Sequence, residues 1–209
     1  MDILKNIKAI IFDLDGVLLP TNVLHRESLI ESIKVITGID TTHHHAVSEH
    51  SMLSSRLKIK KVQEIYKFNE NLCPIILQNK DNIFFSKLRD IKPESNVLEC
   101  LTSIRSIKIK TAIASNSRFN NMIRVLEITD LKKFFDVVVS AEEVAQPKPA
   151  PDILFEVYKR LGLTETEYDK TIFVDDTDEG AEAGHRSPSI VVRVNSPADL
   201  SINLFREWL

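Results

Sequence analysis

Cysteine, long apolar runs and an excess of charge of either sign are all scarce in this sequence of 209 residues. The two cysteines, Cys73 and Cys100, are too few for a disulfide framework or a cysteine-rich zinc site, which suits a reducing compartment. No apolar run reaches the roughly 18 residues that a membrane-spanning helix needs. Since 27 Lys and Arg nearly balance 30 Asp and Glu, no basic surface for nucleic acid is indicated.

The first residues of the sequence also lack the features of a targeting segment. Charged residues at Asp2, Lys5 and Lys8 interrupt them, and no small-residue cleavage site follows, so we expect no signal peptide. The composition, with 43% hydrophobic and 27% charged residues, is that of an ordinary globular protein. We therefore expect a cytoplasmic protein that binds neither nucleic acid nor membranes, as a monomer or weak dimer.

Short apolar runs predict buried strands at five places: Ala9–Phe12, Thr111–Ala114, Val137–Val139, Thr171–Val174 and Ile190–Val192. Such short, mostly β-branched runs are typical of strands that are buried on both faces of a parallel sheet. Helical patterns lie between them, such as the one over residues 153–161 that ends at Gly162. Strands that alternate with helices predict an α/β fold, a doubly wound, Rossmann-like parallel sheet.

Residues 20–91 carry helical patterns only. The predicted helices span Val23–Ile36, closed by Gly38, then Leu57–Leu72 with an apolar stripe of Ile59, Val62, Ile65 and Tyr66, and a segment around Phe84–Leu88. Because the strand–helix alternation resumes afterwards, we expect a helical domain inserted after the first strand. The predicted α/β core domain comprises residues 1–19 and 92–209, and residues 20–91 form the helical cap domain.

Polar and charged residues follow three of the predicted strands, where an open parallel sheet collects its ligands. The set consists of Asp13, Asp15, Ser115, Asn116, Asp175 and Asp176, with Lys148 in a connecting loop. Four carboxylates cannot stay ionised in one cleft without a cation, and oxygen ligands of this kind suit Mg²⁺. A hydroxyl, an amide and an ammonium can hold a phosphate, while one aspartate attacks it and another transfers a proton. The chemistry indicated is phosphoryl transfer.

Four segments, in this order, resemble the signature motifs of the haloacid dehalogenase-like hydrolases: Asp13–Val17, Ala114–Ser117, Pro147–Asp152, and Val174–Thr177 with Gly180. The helical insertion resembles the α-helical cap of the branch that contains β-phosphoglucomutase and phosphoglycolate phosphatase. Together they cover nearly the whole chain. The resemblance implies a Rossmann-like core, a Mg²⁺ cofactor and a small phosphorylated metabolite as substrate.

The resemblance also implies a role for each residue of the set. Asp13 is the implied nucleophile and a metal ligand, and Asp15 the general acid/base with its carbonyl oxygen on the metal. Ser115, Asn116 and Lys148 are implied to hold the phosphate. Asp176 is the implied direct metal ligand, and Asp175 a ligand or a partner of metal-bound water.

Three further residues are candidate substrate contacts. Thr21 and His25 match positions that β-phosphoglucomutase-like members use in the hinge and near the substrate. Arg118 places a cation at the N-terminus of a predicted helix, which opposes the helix dipole and indicates an anion nearby. For His25, packing in the hinge is an equal alternative.

Simpler interpretations exist for the individual motifs. Asp13 and Asp15 could form a turn, Ser115 and Asn116 could cap a helix, and Lys148 could be a solvated charge. We interpret His43–His45 as an exposed loop and not a metal site, because no further ligand has suitable spacing.

The motifs taken together predict a Mg²⁺-dependent phosphatase that hydrolyses a small phosphomonoester through an aspartyl-phosphate intermediate. A sugar phosphomutase of the β-phosphoglucomutase type and a catalytically silent, receiver-like binding module are the alternatives.

Overall fold

A computed structural model describes residues 7–47 and 54–209. Asp2 and Lys5, which enter the expectation about a signal peptide, lie outside these residues. The chain divides into two compact units, one of Met1–Pro20 with Lys92–Leu209 and the other of Thr21–Ile91. Pro20, which the sequence prediction assigns to the insertion, belongs to the first unit. Among the described helices, none has the length and apolarity needed to cross a membrane.

The first unit is built on a parallel sheet of five strands in the order β3-β2-β1-β4-β5. The strands are β1 (Ala9–Phe12), β2 (Lys110–Ser115), β3 (Val137–Ser140), β4 (Thr171–Asp175) and β5 (Ile190–Arg193). This arrangement confirms the predicted α/β doubly wound sheet. The order places β1 at the centre, between β2 and β4, so the residues that follow these three strands emerge side by side.

Four helices accompany this sheet: α4 (Ser95–Ser106), α5 (Phe119–Ile128), α6 (Asp152–Arg160) and α7 (Asp178–His185). Alternate residues of a strand point to opposite faces of the sheet. On one face, Ala9 and Ile11 share a core with Val157 and Tyr158 of α6. On the other face, the ring of Phe12 meets the ring of Phe205 edge to face. The centre of the sheet is therefore covered on both faces, which accounts for the apolar composition of β1.

The second unit is helical and consists of α1 (Asn22–Thr37), α2 (Ser55–Tyr66) and α3 (Leu72–Leu88). Helix α1 packs against α3, and α2 also contacts α3. Its core contains seven buried residues: Leu29, Ile33, Ala46, Val47, Ile59, Val62 and Ile76. Gly38 ends α1 as predicted, with a left-handed φ of 76° and its N–H donating to the carbonyl of Lys34. This unit therefore has a hydrophobic core of its own.

The predicted helix over Leu57–Leu72 is wrong in its extent. Helix α2 ends at Tyr66 because Lys67 adopts a left-handed conformation with a φ of 55°, and α3 begins only at Leu72. Ile59 and Val62 of the predicted stripe are buried, but Ile65 and Tyr66 are exposed. Only the first half of the predicted apolar stripe therefore lies on the buried face of the helix, and the stripe did not indicate the C-terminus of the helix. The predicted segment around Phe84–Leu88 is the end of the long helix α3.

Candidate active site

The central strands bring two acidic motif residues, Asp13 and Asp175, to one edge of the sheet. Phe12 of β1 lies in register with Ile113 of β2 and Val174 of β4. The next residue, Asp13, donates its backbone N–H to the Val174 carbonyl at 2.9 Å. Asp175, the last residue of β4, therefore lies beside Asp13, although the two are far apart in the sequence.

The Lys148 ammonium joins these two carboxylates. It donates to Oδ1 of Asp13 at 2.6 Å and to Oδ2 of Asp175 at 2.7 Å. It also donates to the Ala114 carbonyl at 3.3 Å and lies 5.5 Å from the centre of the Phe173 ring. The three charged side chains are buried, with 5% of Lys148, 8% of Asp13 and none of Asp175 exposed. A solvated loop charge is thereby excluded for Lys148.

Burial and charge shift the pKa values of this cluster. The pKa of Asp13 is raised to about 8, mainly by burial and in part by the carboxylates of Asp175 and Asp15, while Lys148 opposes the change. Burial by itself would lower the pKa of Lys148, but the adjacent Asp13 and Asp175 hold it above its ordinary value. One ammonium between two carboxylates leaves a surplus negative charge, which adds to the effect of burial on the pKa of Asp13. A cation at this edge would stabilise the ionised form of Asp13.

The remaining contacts of Asp175 come from the turn that follows β4. Its Oδ1 accepts from the backbone N–H of Thr177 at 2.8 Å and from the Thr177 hydroxyl at 2.7 Å. Thr177 Oγ1 in turn accepts from the N–H of Gly180 at 3.0 Å and so caps α7. A Cβ at Gly180 would lie 1.9 Å from Cγ of Asp175. Both oxygens of Asp175 are therefore hydrogen-bonded, Oδ1 to Thr177 and Oδ2 to Lys148. The contact at Oδ2 positions the Lys148 ammonium. A role of Asp175 as a metal ligand stays a prediction.

Asn116 holds the backbone of Lys148. Its Nδ2 donates to the Lys148 carbonyl at 3.0 Å, and its Oδ1 accepts from the Lys148 N–H at 3.0 Å. Ser115 is buried at the end of β2, and its Oγ accepts from the N–H of Ser117 at 3.2 Å. Asn116 thus fixes the loop that carries the ammonium, while the contact of Ser115 or Asn116 with a phosphate stays a prediction.

Asp15 lies in the loop after β1 and is half-buried. Its Oδ2 accepts from the hydroxyl of Ser117 at 2.9 Å. The loop itself is held by the N–H of Gly16, which donates to the Leu19 carbonyl at 2.8 Å, where Gly16 has a φ of 91°. The loop and the Ser117 side chain from the turn after β2 therefore both constrain the position of Asp15.

The side chains and carbonyl groups around Asp13 offer a metal ion a particular set of donor atoms. All its candidate ligands are oxygen atoms, which suit Mg²⁺, and the surplus charge around Asp13 favours a cation. Within residues 7–47 and 54–209, however, no three Asp, Glu, His or Cys side chains converge as a metal cluster. The implied set of Asp13, Asp176 and the carbonyl of Asp15 needs only two side chains. The donor chemistry fits Mg²⁺, and the choice of metal stays a prediction.

The carbonyl of Asp176 accepts from Arg193 at 2.8 Å, which ties its backbone to the end of β5. Arg118 is the N-cap residue of α5, and its carbonyl accepts from the N–H of Met122 at 3.0 Å. Its predicted contact with substrate stays untested.

Thr21 and His25 belong to the helical unit. Thr21 is buried immediately before α1. The His25 ring stacks on Phe84 with centres 4.0 Å apart, and its Nδ1 accepts from the Lys80 ammonium at 2.8 Å. Hinge packing and substrate contact therefore both stay open for His25.

The sequence analysis did not identify three residues with contacts at these positions: Ser117, which donates to Asp15, Thr177, which donates to Asp175, and Lys80, which donates to His25. Thr177 could have been found, since it stands three residues before a helical glycine at a position typical of an N-cap. Ser117 and Lys80 carry no such signal, because their partners lie far away in the sequence.

The sequence matches a family model for haloacid dehalogenase-like hydrolases over residues 10–194. The chain belongs to this family. It is therefore a hydrolase, and the predicted resemblance is confirmed.

Two relatives from bacteria carry the names of phosphatases. A phosphorylated carbohydrates phosphatase of Thermotoga maritima is 28% identical over 84% of this chain and 79% of its own length. A phosphoglycolate phosphatase of Aquifex aeolicus is 26% identical over 86% of this chain and 81% of its own length. Among solved structures, β-phosphoglucomutase of Clostridium difficile superposes with a TM-score of 0.77 at 24% identity, covering 97% of this chain and 96% of that one. The structural likeness supports the fold of this hydrolase.

Proposed function

We propose that this hydrolase is a Mg²⁺-dependent phosphatase that cleaves a small phosphomonoester through a phosphorylated Asp13. The observation that carries the proposal is the Lys148 ammonium, held between Asp13 and Asp175 at 2.6 and 2.7 Å. An ammonium in this position can neutralise charge on a phosphate beside Asp13. The relatives named as carbohydrate and phosphoglycolate phosphatases support the reaction class.

Each residue of the site takes a defined part in the proposed reaction. Lys148 and Ser115 bind the phosphate oxygens, and Asn116 holds the Lys148 loop. Asp13 attacks phosphorus, the bond between phosphorus and the ester oxygen breaks, and Asp15 donates a proton to the departing alcohol. Asp15 then accepts a proton from the water that hydrolyses the aspartyl phosphate.

Asp13, Asp176 and the carbonyl of Asp15 would hold the Mg²⁺. When bound, the ion would supply positive charge next to the phosphate and favour the ionised form of the attacking carboxylate. Asp175 keeps Lys148 in place while the ammonium shifts its contacts from carboxylate to phosphate.

The first experiment measures phosphate release from sugar phosphates, nucleoside monophosphates, 2-phosphoglycolate and p-nitrophenyl phosphate, with Mg²⁺ and with EDTA. We expect Mg²⁺-dependent release from at least one small ester. We expect Asp13→Asn to lower kcat to background while the protein stays folded. The exposed residue Asp130 provides the matched control, and we expect Asp130→Asn to leave kcat unchanged. An active Asp13→Asn enzyme would exclude covalent catalysis by Asp13.

A phosphomutase is the second candidate, and the His25–Lys80 pair in the helical unit favours it over a silent binding module. The buried ammonium of Lys80 and the half-buried imidazole of His25 could bind the hydroxyl groups of a sugar. Substrate labelled with ³²P separates the two enzymes. A phosphatase delivers the label to inorganic phosphate, whereas a mutase delivers it to a second hydroxyl of the sugar. A protein that releases or transfers no label would favour the silent module.

A further inference from the structure

Ser117 connects two loops of the proposed active site that are distant in the sequence. It stands two residues beyond the end of β2, and its hydroxyl donates to Oδ2 of Asp15 across a sequence separation of 102 residues. The N–H of Ser117 donates to Ser115 Oγ, which fixes the backbone of the turn. The serine hydroxyl is thus presented by a rigid turn at the edge of the sheet.

The hydrogen bond constrains a side chain that would otherwise rotate easily. The terminal torsion of an aspartate has a broad, roughly two-fold energy profile, so packing alone does not choose between its two oxygens. A donor at 2.9 Å to Oδ2 assigns that oxygen to Ser117. The hydrogen bond therefore fixes the orientation in which the carboxyl group of Asp15 is held. Orientation of this kind contributes to rate because proton transfer needs a defined geometry.

We propose that Ser117 is a positioning residue for Asp15, a role that rests on the proposed phosphatase function. In the first half-reaction, a bond forms between Asp13 and phosphorus while the bond between phosphorus and the ester oxygen breaks. The electron pair of that bond goes to the ester oxygen, which takes a proton from the carboxyl group of Asp15. Ser117 retains its own proton and holds Oδ2 throughout.

The leaving group provides a test that a merely structural role would not pass. An alkyl alcohol needs a proton as it departs, whereas p-nitrophenolate is stable without one. The ratio kcat/KM reports the steps up to departure of the leaving group. We expect Ser117→Ala to lower kcat/KM about 10- to 100-fold for the best alkyl phosphate of the panel, part of what a general acid contributes. For p-nitrophenyl phosphate we expect a loss below about threefold.

Two further variants separate positioning from other roles. Ser117→Thr keeps a hydroxyl and should retain most of the activity toward both esters. In an Asp15→Asn background, Ser117→Ala should cause no additional loss, because a residue that acts only through Asp15 is not additive with it. Ser106→Ala removes an exposed hydroxyl from α4 and serves as the control.

Several outcomes would overturn the inference while leaving the phosphatase proposal intact. Equal losses for both esters, or no loss for either, would contradict a role in leaving-group protonation. If inorganic phosphate inhibited Ser117→Ala with a larger inhibition constant than the wild type, Ser117 would be a phosphate ligand instead. Full additivity with Asp15→Asn would show that Ser117 acts elsewhere. A wild-type protein that hydrolyses neither ester would contradict the proposed function itself.

Discussion

At the scale of single residues, the arrangement around Lys148 is governed by buried charge. Two carboxylates that are almost fully excluded from water share one ammonium at 2.6 and 2.7 Å. Such a cluster is costly to desolvate, and its partners depend on one another more than exposed ion pairs do. The sequence motifs identified all three residues, but the direct pairing of Lys148 with Asp175 became visible only in the folded chain.

Replacing Lys148 tests this dependence. Lys148→Met leaves the buried carboxyl groups of Asp13 and Asp175 without their ammonium partner, and we expect the free energy of unfolding to fall by about 3–5 kcal/mol. Equilibrium urea denaturation at neutral pH measures the change. Adding Asp13→Asn to this variant removes one of the two neighbouring acidic groups and should recover part of the loss.

The matched control is Lys132→Met, which breaks an exposed ion pair of 2.8 Å with Glu127. Because solvent screens exposed pairs, we expect the control to lose less than about 1 kcal/mol. Equal effects of the two lysine substitutions would show that burial adds nothing to the Lys148 cluster.

Gly180 is required by the space that Asp175 occupies. An alanine Cβ would overlap all three terminal atoms of the carboxyl group, at 1.9 to 2.1 Å. We expect Gly180→Ala to displace Asp175 and with it Lys148, and to lower kcat about 100-fold, the scale of a 1 Å misplacement in an active site. The assay is phosphate release under saturating substrate.

Gly162→Ala is the control, since nothing lies within 4 Å of its Cβ. Gly162 has a φ of 67°, so the control should lose about 1 kcal/mol of stability and no activity. Normal turnover by Gly180→Ala would mean that the position of Asp175 is unimportant for catalysis.

At the scale of secondary-structure elements, local patterns predicted strands better than helix ends. The strands follow directly from short apolar runs, and β1 matches the predicted Ala9–Phe12 in full. The end of α2 could not be predicted, because Lys67 carries the left-handed conformation that a glycine would have signalled. A helix that ends without glycine or proline depends on contacts such as that of Gln63 Nε2 with the Phe68 carbonyl at 2.9 Å.

Helix α7 depends on its cap at Thr177. The hydroxyl accepts from Gly180 N–H at the helix start and donates to Asp175, so one side chain serves both the helix and the site. We expect Thr177→Val to lower the free energy of unfolding by about 1 kcal/mol, as for other lost N-caps, and to reduce kcat as well. Urea denaturation and steady-state kinetics measure the two effects.

Thr177→Ser keeps the hydroxyl and should preserve both quantities. If the valine variant lost stability without losing activity, the contact between Thr177 and Asp175 would have no part in the reaction.

At the scale of the whole molecule, the two cysteines differ in their burial and so measure the accessibility of two different helices. Cys100 of α4 is buried, and this burial raises the pKa of its thiol to about 12. Cys73 of α3 is half-buried, and burial together with Glu70 raises its pKa to a smaller extent. Since the thiolate is the reactive form, both thiols should react more slowly than a free cysteine, and Cys100 the more slowly of the two.

Labelling with a disulfide reagent at pH 8 tests this order. We expect one thiol to react in the native protein and the second only when the molecule unfolds, with its rate following urea concentration. Raising the pH toward the pKa of Cys73 should accelerate the first phase, because the thiolate fraction rises. Cys73→Ser should remove the first phase alone. Two thiols of equal reactivity in the native protein would contradict the burial of Cys100.

The sequence by itself determined the α/β class, the helical insertion and the residue types of the site, since apolar periodicity and short motifs are local properties of a chain. Only the tertiary structure decided which of those residues contact one another. Hydrogen bonds join segments that are remote in sequence: Lys148 donates to Asp13 and Asp175, Asn116 donates to the Lys148 carbonyl, and Ser117 donates to Asp15. Such contacts arise when parallel strands align their carboxyl ends, and no local pattern encodes which donor then meets which acceptor.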